Sequence, residues 1–123
     1  MVKKFSCNDV YQEILALVKR EEWKLTVDSL NCSGERVICL EGFFITIPKS
    51  KEYYYRQSKA RGTKILIEGE FFAGSDSVER LQEFAIVVGK VKGLFGGMRE
   101  LGFGLSTSVR DISGKLGISL FVE

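Results

Sequence analysis

Asp76-Ser77-Val78-Glu79-Arg80-Leu81-Gln82-Glu83-Phe84-Ala85-Ile86-Val87-Val88 is the stretch on which the fold class turns. Asp76 is a capping-type residue with Glu79 three positions on, an arrangement that satisfies the first unpaired N–H groups of a helix. Beyond it Leu81, Phe84, Val88, Val91, Phe95 and Met98 keep 3,4 spacing, the pattern of a helix seam. The competing reading is a strand, because Ile86, Val87, Val88 and Val91 are β-branched and Gly89, Gly93, Gly96 and Gly97 each weaken a helix. The capping signal favours a helix at least to Val88, with Leu81, Phe84 and Val88 buried on one face.

Upstream, Val10, Ile14, Leu17 and Val18 recur at helical spacing behind Ser6, Asn8 and Asp9, so residues 8–22 read as an amphipathic helix. At Trp23 the period changes to two: Trp23, Leu25 and Val27 alternate with Lys24, Thr26 and Asp28, giving a half-buried strand. Asn31-Cys32-Ser33-Gly34 reads as a hairpin turn. Val37 to Ile47 reads as one central strand, apolar on both faces, with a bulge at Gly42 and an end at Pro48. Ile65, Ile67 and Phe71 alternate with Glu68 and Glu70 in a further strand.

Downstream, Phe103 to Arg110 and Leu116 to Val122 alternate around Asp111-Ile112-Ser113-Gly114, a second hairpin. The fold class expected is α+β: one domain over 1–123, with two helices on one face of an antiparallel sheet of about five or six strands, ordered α-β-β-(β)-β-α-β-β. A shift of 80 aligns Leu25 with Leu105, Gly34 with Gly114, Ile38 with Ile118 and Leu40 with Leu120. That alignment suggests a helix-plus-hairpin duplication, although any two hairpins with Ser-Gly turns align in this way.

The 123 residues are 45% hydrophobic and 28% charged, ordinary values for a chain that buries its own core. With 18 Lys+Arg against 16 Asp+Glu the formal charge is only +2, so any basic function must be local. The apolar stretch after Lys3 and Lys4 is broken by Asp9, Gln12 and Glu13, which is not a signal-peptide core, and the expected location is the cytoplasm. No membrane span is expected, because Lys90 and Lys92 interrupt the longest apolar run. Few amides, one proline and abundant Lys and Glu are a bias shared with thermophile proteins.

There is no histidine, which removes the commonest general base and transition-metal ligand. Cys7, Cys32 and Cys39 have no paired spacing and read as buried reduced thiols, so neither a metal nor a cofactor nor a catalytic residue is assigned. Glu68 and Glu70 would suit acid/base work or a divalent cation if they shared an enclosed face, but the alternation around them favours a solvated outer face. Gly89-Lys90 lacks the remainder of a P-loop and Gly102-Phe103-Gly104 the remainder of a dinucleotide fingerprint. Gly93-Leu94-Phe95-Gly96 fits a GxxG clamp on a nucleic-acid backbone only if a helix follows it.

The segment with most functional promise runs from Lys49 to Lys64. Lys49, Lys51, Arg56, Lys59, Arg61 and Lys64 stand there against the single acid Glu52, beside Tyr53, Tyr54 and Tyr55, which can stack on unpaired bases. The bland alternative is a solvated hairpin. Two functions follow: a non-catalytic binding or assembly module contacting nucleic acid or another anionic partner, or a protein partner, through 49–64, and an apolar-ligand binder using the space between helices and sheet. Nine phenylalanines suit a filled core as readily as a pocket.

Overall fold

A computed structural model describes residues 7–30, 34–47, 52–55, 58–61, 63–72, 77–94, 99–108 and 113–122. Helix α1 (Cys7–Arg20) is followed by strands β1 (Leu25–Leu30), β2 (Arg36–Leu40), β3 (Phe43–Ile47), β4 (Glu52–Tyr55), β5 (Ser58–Arg61) and β6 (Thr63–Phe72). Helix α2 (Ser77–Lys92) and strands β7 (Arg99–Ser108) and β8 (Ser113–Val122) complete it. Six strands form one sheet in the order β1-β2-β3-β6-β8-β7, every neighbouring pair antiparallel, and β4 and β5 form a separate two-stranded ladder. The α+β class holds. No described helix is long and apolar enough to cross a membrane.

Cross-strand pairing explains where the core lies. Ile38 faces Ile45, Ile45 faces Ile67 and Ile67 faces Ile118, so one row of branched side chains crosses four strands on a single face. Ile65 opposite Leu120 and Leu40 opposite Phe43 add two more rows. Val10, Ile14 and Leu17 of α1 and Phe84, Val87 and Val91 of α2 close on that face, and all are buried in the same cluster. Both helices therefore cover one side of the sheet, as a layered α+β domain requires.

Three sequence expectations are corrected. Val37 to Ile47 is two strands, because Glu41-Gly42 makes a two-residue turn that sets Leu40 opposite Phe43. Gly42 has φ 85°, a conformation that costs an L-residue about 1–2 kcal/mol. The side chain of Arg80 lies against that turn, its guanidinium carbon 5.5 Å from the Phe43 ring centroid. The chain thus reverses at Gly42, where a bulge was expected.

The buried side of α2 is also rotated from the expected one. Phe84, Val87 and Val91 are buried and Val88 is half-buried, but Leu81 is 44% exposed. Both sets keep 3,4 spacing, and a helix apolar on two sides leaves its phase to the partner surface. That surface holds Phe43 and Phe71, whose rings lie 6.0 and 5.9 Å from that of Phe84, the second edge-on.

Finally, the alignment by 80 residues does not extend to the ladders. Asp28 pairs with Ile38, whose shifted equivalents are residues 108 and 118, yet Ile118 pairs with Phe103. Ser113 and Gly114, expected in a turn, lie inside the β7–β8 ladder opposite Ser108 and Thr107.

Phe84→Ala is expected to cost about 3–5 kcal/mol through lost burial and the cavity left behind, and Leu81→Ala about 0.5 kcal/mol or less. Urea denaturation of the two variants beside the parent checks the phase of α2.

Candidate functional site

Only part of the 49–64 segment lies among the described residues. Lys49, Lys51 and Arg56 lie outside them; Tyr53, Tyr54 and Tyr55 fall in β4, Lys59 and Arg61 in β5, and Lys64 in β6. The β4–β5 register sets Glu52 opposite Arg61, Tyr53 opposite Ala60, Tyr54 opposite Lys59 and Tyr55 opposite Ser58. This ladder lies between β3 and β6 in the chain and belongs to neither side of the main sheet's pairing. The backbone therefore brings five of the nine nominated residues, Tyr53, Tyr54, Tyr55, Lys59 and Arg61, onto one short hairpin. Lys64 is half-buried in β6, opposite Phe121.

The other sequence candidates take ordinary places. Glu68 and Glu70, two apart in β6, share a face, and Lys115 sits opposite Glu70 in register and 3.0 Å from Glu68 through its Nζ. The lysine pairs with Glu68 on a partly exposed face, as a surface ion pair does. Glu41, a third acid beside apolar strand residues, is exposed in the β2–β3 turn. Cys7 and Cys39 are unbridged and half-buried, Cys7 with its sulfur 3.6 Å from the Thr63 hydroxyl; Cys32 lies outside the described residues. Gly93 to Gly96 precedes β7, a strand where the GxxG clamp needs a helix.

Between helices and sheet the aromatic corner is filled. A Cβ placed on Gly69 would come within 3.0 Å of Phe43, 3.1 Å of Phe71 and 3.2 Å of Phe84. Three rings thus meet over a bare backbone position, with no room at that corner for a ligand.

A polar cluster that the sequence reading missed sits at the β1 edge of the sheet. The Tyr11 hydroxyl of α1 donates to a carboxylate oxygen of Asp28 in β1, and the Arg36 guanidinium of β2 lies 4.2 Å from the centre of the Tyr11 ring. Asp28 faces Ile38 and Leu30 faces Arg36, so the acid and the base stand diagonally on the helix-covered face. Asp28 follows the polar phase of the β1 alternation, and a register shift between Leu25 and Val27 sets it opposite Ile38, so the local pattern carried no signal of the cluster. The hydrogen bond to Asp28 raises the Tyr11 pKa above its ordinary value, burial and the Asp28 charge add to this, and Arg36 opposes it. A phenol held protonated is a tie between α1 and the sheet edge.

No protein-family model, no curated protein and no solved structure matches this chain.

Because the folded state raises the Tyr11 pKa, its contribution to stability is complete below the unfolded value of 10.0 and is lost as pH climbs through the higher folded value. Tyr11→Phe is expected to cost about 1 kcal/mol at pH 8. The gap between parent and variant, followed by denaturant melts from pH 8 upward, should hold to pH 10 and close above it.

Proposed function

We propose that this chain is a non-catalytic binding module that holds an anionic partner, single-stranded nucleic acid first, on the β4–β5 hairpin. The observation that carries the reading is the separate ladder of Glu52–Tyr55 and Ser58–Arg61, which joins tyrosines and cations in a segment with six basic residues to one acid. A flexible polyanion is attracted to such a segment chiefly through release of its condensed counterions. Tyrosine rings add stacking that tolerates any base, roughly 1–3 kcal/mol for each base engaged.

The two contributions separate experimentally. Arg56, Lys59 and Arg61 changed together to Ser should weaken binding of an oligonucleotide and flatten its dependence on salt. Tyr54→Ala should weaken binding with the salt slope kept. Fluorescence anisotropy at low salt is the measurement, and no association of the intact protein with single-stranded DNA or RNA at tens of micromolar would overturn the reading.

A further inference from the structure

Helix α2 carries a second apolar face. Opposite the buried Phe84, Val87 and Val91, the side chains of Val78 and Ile86 are 67% and 55% exposed, and Leu81 stands at the margin. Ala85 and Gly89 lie along the same side, both exposed, and a Cβ at Gly89 would meet nothing within 4 Å. At helical spacing Val78, Gln82, Ala85 and Gly89 form one uncharged line with Ile86 beside it. Large side chains at the margins and small ones along the line allow another helix to approach closely.

The charges beside this line say which helix fits. Glu79 and Glu83 flank it in the N-terminal half, and neither forms an ion pair among the described residues; Lys90 flanks the same side in the C-terminal half. Two copies of α2 laid antiparallel about a two-fold axis near Ala85 and Ile86 bring Lys90 of each between Glu79 and Glu83 of the other. The surface is thus complementary to itself, as an isologous interface must be. Lys90 already holds Glu21 of its own chain at 3.3 Å, but the ammonium is half exposed and has three donors.

We infer that the outer face of α2 is a homodimer interface, in which two copies of the chain pair their second helices antiparallel. The inference is independent of nucleic-acid binding by the hairpin, since it rests on a different surface. A helix of 16 residues is about 24 Å long, so this contact is at the small end of specific interfaces and the dimer should be concentration-dependent.

Sedimentation equilibrium of the intact chain from about 10 μM to 1 mM tests it, with circular dichroism confirming that each variant is folded. The parent should move from monomer toward dimer across that range. Ile86→Lys, at an exposed position, should abolish the shift. Glu83→Lys and Lys90→Glu should each weaken it at least fivefold, and the double exchange should restore it. Residues 83 and 90 are two turns apart on one helix and do not touch, so restoration has to come from the partner copy. A parent that stays monomeric to 1 mM, a dimer indifferent to Ile86→Lys, or single charge exchanges with no rescue would overturn the inference.

Discussion

The close approach of Phe84 to Gly69 is the constraint on which the arrangement of this domain depends. Gly69 stands in β6, at the centre of the six-stranded sheet, opposite Phe43 on one side and Leu116 on the other. Its missing side chain leaves the only space into which the rings of Phe43, Phe71 and Phe84 converge among the described glycines. The depth of that space sets how near α2 lies to the sheet and which of its two apolar sides turns inward. Arg80, one turn before Phe84, then lies over Phe43 and the β2–β3 turn, while Val78, Ile86 and Gly89 are left outside.

At the other end of the layer α1 is held by a different kind of contact. Its apolar residues Val10, Ile14 and Leu17 are almost wholly enclosed, but the edge of the sheet beside them is closed by the Tyr11 hydroxyl, the Asp28 carboxylate and the Arg36 guanidinium. A polar closure at an edge strand leaves a charge where another strand would otherwise add on. The two helices thus have different duties. One seals an edge, and the other carries a surface that remains uncovered.

Much of this was legible in the amino-acid sequence, and the errors have common physical causes. Helix α1 was readable because Val10, Ile14, Leu17 and Val18 leave one polar face, so only one orientation buries them. Helix α2 was readable as a helix from its cap, but its inward side was not, since residues 81, 84 and 88 and residues 84, 87 and 91 are equally well spaced. The β2–β3 hairpin was hidden by continuous apolar character, although Leu40 and Phe43 are three apart and cannot share a face of one straight strand. The basic aromatic segment was legible as composition, and its pairing as β4 and β5 was not, because no Asn-Gly or Asp-Gly stands in the sequence between Tyr55 and Ser58. The Tyr11, Asp28 and Arg36 cluster joins residues distant in the chain, which periodicity within a segment does not reveal.

A double-mutant cycle between Gly69 and Phe84 tests the central constraint most directly. Gly69→Ala alone should destabilise the protein by about 1–3 kcal/mol, because three packed rings must shift to admit one methyl group. In a Phe84→Ala background the methyl group enters the vacated space, and the same substitution should be neutral or stabilising by up to about 1 kcal/mol, since alanine restricts the unfolded chain more than glycine does. Denaturation of the four proteins gives the coupling energy. An equal cost for Gly69→Ala in both backgrounds would show that the ring of Phe84 does not depend on the bare backbone at Gly69, and would contradict the account.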